Sequence, residues 1–254
     1  MIQINPKGGL GNMLFQIAAG YVLAYKLGVD WAVIRPTTNV HGDMYSKYKN
    51  NILDKVPFID TGYNFPIYEE PSFNYNNLPL SKNITLDGYF QSEKYFYNYR
   101  ALILDLFTQQ CSDFNEAKIQ YNTYHSSPTV SLHVRRGDYL KYPNTHPQLS
   151  LNYYNNALNE FQEHNVLVFS DDINWCKHHL NRSNIHFIEG NTDVIDLYLM
   201  SLCNNNIITN STFSWWGAWL NQNKNKKIIA PHKWFGPAVN HNTKNLIPES
   251  WNKI

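Results

Sequence analysis

The sequence predicts an α/β protein made of two Rossmann-like halves facing across a cleft. Three observations lead there. A strand, a glycine loop, a helix and a second strand fill residues 2 to 34. Short apolar runs then alternate with helical periodicity between residues 129 and 230. Charged and hydroxylated residues gather just behind those runs, at the strand ends where open α/β sheets bind ligands.

Ile2-Gln3-Ile4 reads as a strand, followed by the loop Gly8-Gly9-Leu10-Gly11-Asn12. From Met13 to Leu27 the apolar residues Leu14, Ile17, Ala18, Tyr21, Val22 and Tyr25 recur at helical spacing, and Gly28 closes the helix. Trp31 to Ile34 completes a βαβ unit. Residues 36 to 82 are rich in Pro, Asn, Tyr and Gly and predict loops and short helices. Ile84 to Tyr89 predicts a strand and Lys94 to Phe107 a helix. Polar residues from Ser112 to Pro128 hold the expected boundary, which divides the chain into 1–125 and 126–254.

Beyond it, Thr129 to Val134 alternates like a buried strand, and Leu151 to His164 predicts a helix. Strand Val166 to Phe169, helix Ile173 to Leu180 and strand Ile185 to Ile188 follow. A helix from Thr192 to Cys203, strand Asn206 to Thr209, a Trp-rich helix ending at Asn221 and strand Lys227 to Ala230 close the pattern. Four or five parallel strands with interleaved helices make a Rossmann-like half.

Composition narrows the partners. The 254 residues carry a formal net charge of +1 with no basic block, which argues against nucleic acid. Aromatic residues make up 15%, including 18 Tyr and 7 Trp, which suits stacking on bases or sugar rings as well as a Tyr-rich core. Cys111, Cys176 and Cys203 are too few and too far apart for a disulfide framework or a zinc site. The N-terminus lacks the pattern of a signal peptide, and no run approaches the roughly 20 apolar residues of a membrane span. The expectation is a cytoplasmic protein, with the sequons at Asn83, Asn181 and Asn210 unused.

The run His133-Val134-Arg135-Arg136-Gly137-Asp138 brings two guanidiniums, an imidazole and a carboxylate to the end of a strand. Arginine's planar fork suits phosphate, so the run reads as an anion-recognition loop; the alternative is a surface salt-bridge cluster. Asn210-Ser211-Thr212-Phe213-Ser214 starts a helix, whose free N–H groups suit a phosphate or merely need an N-cap. The Gly8 to Asn12 loop lacks the third glycine of the dinucleotide fingerprint, its place being taken by Leu14, yet it sets N–H groups at a helix start. Together the two loops of the second half describe a diphosphate clamp neutralised by guanidiniums and a helix dipole. No Asp-x-Asp is present, and Asp171-Asp172 reads as an N-cap for the next helix, so no metal is expected.

Five blocks carry a family resemblance. They are Gly8 to Gln16, Gly88 to Ser92, His133 to Tyr139, Phe169 to Asp172 and Asn210 to Trp216, in that order. The chain resembles the α-1,2-fucosyltransferases of glycosyltransferase family 11, with departures at Met13 and Ile17 that touch the acceptor side. The resemblance implies a GT-B architecture and an inverting, metal-independent transfer. GDP-β-L-fucose would be the donor and a glycan the acceptor, by family default the 2-OH of a terminal β-galactoside. No other cofactor is implied, and peripheral association with a membrane is left open. The first half would serve the acceptor side and the second would bind the GDP-sugar.

Arg135 would then hold the β-phosphate and the departing oxygen, assisted by Arg136 or His133. Ser211, Thr212 and Phe213 would cradle the pyrophosphate, while Gly11 and Asn12 would face the donor. Asp196 resembles a carboxylate that reads guanine, against the alternative of an exposed helix acid. Asp138 is the carboxylate nearest to Arg135 in sequence and either takes the acceptor proton or buttresses Arg135 or Arg136; the buttress is favoured, because a carboxylate locked to arginine is a weak base. Two other functions remain in play: a transferase of the same fold using another nucleotide sugar, and a non-catalytic glycan-binding module.

Overall fold

Strand β1 (Ile2–Ile4) is buried along its whole length, and two parallel neighbours hold it at the middle of a five-stranded sheet. In this computed structural model, which describes residues 1–36, 42–108, 111–124 and 126–254, the chain forms two units. The first comprises Met1–Gln109 and His241–Pro248, the second Gln110–Asn240 and Glu249–Ile254.

In the first unit, α1 (Leu10–Leu27) starts three residues before the expected Met13, so Gly11 and Asn12 belong to its first turn. Gly8 takes a left-handed φ of 75° to bring the chain round, and Gly28, at φ 60°, ends the helix by donating to Ala24 and Tyr25. Then come β2 (Trp31–Ile34), α2 (Met44–Tyr48), β3 (Phe58–Ile59), β4 (Ile67–Glu69) and β5 (Ile84–Asp87). The sheet order is β3-β2-β1-β5-β4, all parallel. Strands β3 and β4 arise where loops were expected. The helix expected over 94–107 is instead two 3-10 turns followed by α3 (Arg100–Thr108). Between the turns, Phe96 leaves helical geometry (φ −139°, ψ 0°) with its side chain fully buried.

The second unit opens with α4 (Ser112–Tyr121), which packs on a later helix through Phe114 and Tyr198, their rings 5.0 Å apart and edge-on. The expected boundary at 125/126 therefore needs correcting: α4 counts with the second unit because its only buried side chains face that unit's core. The chain continues through β6 (Thr129–Val134), α5 (Leu151–Asn159), β7 (Asn165–Ser170), α6 (Ile173–His179) and β8 (Ile185–Phe187). Next are α7 (Asp193–Leu202), β9 (Asn205–Ile207), α8 (Thr212–Leu220), β10 (Ile228–Ala230) and β11 (Asn252–Lys253). The sheet is parallel, in the order β11-β10-β9-β6-β7-β8, six strands against the four or five expected.

Each sheet reverses its winding once. In the second, β6 leads to β7 and β8 on one side and to β9 and β10 on the other. The reversal lies between β6 and β9, and beyond the carboxyl ends of such a pair the connecting loops part and leave a crevice. In the first, the reversal lies between β1 and β5. Both glycine-containing loops singled out from sequence leave these strands.

Candidate active site

β6 is buried at all six positions, so whatever follows Val134 emerges from the centre of the sheet. His133 is the last polar residue inside it, 5% exposed, with no hydrogen-bond partner at Nδ1. Burial, reinforced by the neighbouring Arg135 charge, pushes its pKa down to about 3. The imidazole is therefore neutral at physiological pH. Its ring lies 5.6 Å from that of Phe213 at the start of α8.

Arg135 is held from two sides. Its Nη2 donates to Asp138 at 2.6 Å and its Nη1 reaches Asp171 at 3.0 Å, while the guanidinium lies over the Tyr139 ring. Asp138 is thus bonded to Arg135. Asp171 does not cap α6: its Oδ1 accepts the Arg136 backbone N–H at 2.9 Å. A side chain at Gly137 would run into the Asp171 carboxylate, which Arg135 and the Arg136 N–H already hold, so close approach favours glycine there.

Arg136 turns the other way. Nε pairs with Asp172 at 3.0 Å, Nη1 donates to Gln148 at 2.7 Å, and the guanidinium stacks 4.2 Å from the Trp175 ring centroid. That hydrogen bond holds the Asp172 carboxyl below its usual range, and Asp172 also caps α6 by accepting from Trp175 N. Arg136 is thus committed to the loop's framework. This differs from the expected partnership with Arg135 on a phosphate.

The loop after β9 is tied to the loop after β6. Tyr139 donates its hydroxyl to the Asn210 carbonyl at 2.9 Å, and Asn210 Nδ2 donates to the carbonyls of Pro147 and Trp234. His146 stacks on Tyr139, centroids 4.7 Å apart, and burial lowers its pKa. Ser211 occupies the N-cap of α8 without a side-chain capping bond, so the simple capping alternative is not what its hydroxyl does. Its carbonyl accepts from Trp215 N, and α8 begins behind the carboxyl end of β9, the strand beside β6. Arg135, Asp138, His133, Ser211, Thr212 and Phe213 are thereby brought to one topological switch point.

Asp196 lies in the first turn of α7, half-buried, accepting from Asn191 at 3.0 Å; Asn191 in turn bonds Gln120 of α4. Burial lifts its pKa to about 6, against the Asn191 hydrogen bond and with Asp193 adding to the rise. An acid perturbed in this way is no ordinary exposed helix residue.

In the first unit, the β1 and β5 ends form their own polar cluster. Buried Gln16 pins Lys7 by accepting from its N–H and donating to its carbonyl, and Lys7 pairs with Asp87, which also accepts from Asn5. Asn12 accepts from Gln91 at 3.0 Å, and Gly11 is buried beside it. Glu70 accepts the N–H groups of Tyr89 and Phe90, fixing Phe90 at a left-handed φ of 50°. Neither Glu70 nor Gln148 was expected, since each sits in polar, Asn- and Pro-rich surroundings with no periodic signal.

Among the described residues, no three His, Cys, Asp or Glu side chains are gathered as for a metal ion, and no helix is long and apolar enough to cross a membrane. The model of Glycosyl transferase family 11 matches residues 3–254. The chain belongs to glycosyl transferase family 11. This family 11 glycosyltransferase is 32% identical to an alpha-1,2-colitosyltransferase of Escherichia coli, over 97% of its length and 96% of that protein's. It is 30% identical to the O-antigen biosynthesis glycosyltransferase WbnK of Escherichia coli, over 96% and 97%. It is also 29% identical to galactoside 2-alpha-L-fucosyltransferase SEC1 of Bos taurus, over 85% of this chain and 63% of that one.

Two solved structures share the fold. The NodZ alpha-1,6-fucosyltransferase soaked with GDP-fucose superposes with a TM-score of 0.59 at 14% identity, covering 86% of this chain and 92% of its own. POFUT1 in complex with GDP gives 0.51 at 12%, covering 89% and 97%. The α/β, GT-B-like class expected from sequence is the one observed.

Proposed function

We propose that this family 11 enzyme moves L-fucose from GDP-β-L-fucose to the 2-OH of a terminal β-galactoside, with inversion and without a metal. The observation that carries this reading is Arg135, fixed by two carboxylates at the same switch point as the start of α8. The bond from the sugar C1 to GDP is already activated, so the enzyme's task is to stabilise charge on the leaving diphosphate. Arg135 supplies a fixed cation as that bond stretches, and the first-turn N–H groups of α8, around Ser211, Thr212 and Phe213, supply dipoles. His133, neutral and walled in beside Phe213, offers a ring nitrogen rather than charge. The acceptor hydroxyl attacks C1 from the face opposite the diphosphate and loses its proton late. Cys176 and Cys203 are buried free thiols, in keeping with work in the cytoplasm.

A second donor has one specific observation in its favour: a relative named for colitose transfer. Colitose is L-fucose without its 3-hydroxyl, so the two donors differ at one oxygen. A glycan-binding module would leave Arg135 and the α8 terminus without a ligand. The deciding experiment incubates the chain with GDP-fucose and other nucleotide sugars on lactose-type acceptors, read by mass spectrometry. The expected result is one fucose added in α-1,2 linkage, undiminished by millimolar EDTA. Transfer from another donor alone, or loss of turnover restored by manganese, would overturn the assignment.

Asp196 gives a pH signature. As the guanine-reading group it must be ionised to accept two N–H donors, and its pKa stands near 6. GDP affinity should therefore hold above pH 6 and fall below it, approaching roughly tenfold per pH unit. Asp196→Asn should bind GDP weakly with no such break; a wild-type affinity that is flat from pH 7 to about 5 would remove Asp196 from the base site. For folding the sign is reversed: the folded chain holds this proton more tightly than the unfolded one, so Asp196 favours folding as pH falls from about 6 toward 4.

A further inference from the structure

Two cations, Arg135 and Arg136, face three anions, Asp138, Asp171 and Asp172, in the loops proposed to hold a diphosphate. Left as they are, these five groups carry one net negative charge, which opposes an incoming anion. The geometry also contains an unmet donor. Arg135 Nε is buried without a hydrogen-bond partner, although it lies on the same edge of the planar fork as Nη2, where Asp138 sits. A single carboxylate oxygen there leaves half of a bidentate edge unused, and a buried donor without a partner is costly.

The two carboxylates differ in how they are held. Asp171 has a side chain 26% exposed, pairs with Nη1, accepts the Arg136 backbone N–H and abuts Gly137. Asp138 has a side chain 48% exposed, stands at the start of a 3-10 turn and bonds Arg135. Of the two, Asp138 is the one whose departure disturbs less of the loop.

We propose that Asp138 is a placeholder: the diphosphate displaces it from the Nε–Nη2 edge of Arg135, while Asp171 stays on Nη1 as a positioning residue. This rests on the assignment of Arg135 to the donor diphosphate. Before the donor arrives, Asp138 keeps the guanidinium aimed and solvated by a carboxylate. On binding, two phosphate oxygens satisfy Nε and Nη2 together, and the freed Asp138 turns to water.

The two carboxylates should then act with opposite signs, measured by calorimetric titration of GDP into the intact chain. Asp138→Asn removes a competitor and should tighten GDP by about threefold. Asp171→Asn lets the guanidinium drift and should weaken it by about tenfold or more. A general charge effect would tighten both, and a general structural role would weaken both; either result overturns partner exchange. Should Asp138→Asn fail to fold, the wild-type chain answers by NMR of 15N-labelled arginine. One Nε–H resonance should move downfield on saturation with GDP, and no movement would overturn the proposal. A wild-type chain that does not bind GDP at all would instead sink the assignment of the donor site.

Discussion

Arg135→Ala should lower turnover with GDP-fucose by about 10²–10³-fold or more, the range for losing a donor aimed at developing negative charge. On the proposed mechanism the loss falls mainly in kcat, because the charge assigned to Arg135 would grow as the C1–O bond lengthens. Deleting the guanidinium also leaves Asp138 and Asp171 facing the diphosphate uncompensated, so GDP binding should weaken too. Folding should survive, since these side chains are partly open to water and Asp171 keeps its bond to the Arg136 N–H. Arg135→Lys separates the two contributions: it restores a charge but not the fork, and should recover only part of the rate. The measurement is initial rate against donor concentration, with a thermal melt of each variant. Near-normal kcat in a folded Arg135→Ala protein would take Arg135 out of the mechanism.

The second large effect is on stability. Trp215 is fully buried in α8 and meets three other indoles: Trp216 edge-on at 5.2 Å, Trp219 stacked at 6.2 Å and Trp251 tilted at 5.3 Å. Trp215→Ala should cost about 3–5 kcal/mol, the usual penalty for emptying so large a buried site. For a protein of this size that corresponds to a midpoint lower by about 10 °C, read by scanning calorimetry. The same cluster fixes α8, whose N-terminus is part of the proposed diphosphate site. Activity should therefore fall at temperatures where the variant is still mostly folded. A midpoint within about 2 °C of wild type would mean that the indoles repack without loss.

The second unit was legible because its central strands β6, β7, β9 and β10 are largely buried and α5, α6 and α7 are capped by small polar side chains. Thr192 and Asp172 cap α7 and α6 where their positions suggest, and the Trp215–Trp219 face is core. What escaped was set by tertiary contact. α4 has only Phe114 and Ala117 buried, too few to show a period in a polar stretch. β3, β4 and β11 are two or three residues long and partly exposed, so pairing rather than pattern makes them strands. At the site, the motif from His133 to Asp138 marked the place but not the directions of its side chains. That Arg136 turns to Asp172, Gln148 and Trp175 depends on α6 and on the loop before α5, neither of which the hexapeptide contains.

The C-terminus carries a practical consequence. Residues 241–248 return to the first unit, and 249–254 come back to the second, where Asn252–Lys253 pairs beside β10. Neither unit is one uninterrupted stretch of chain. A gene cut at a single point therefore encodes two incomplete fragments. Chimaeras that exchange one whole unit between family members would need three crossover points, with the tail split between parents.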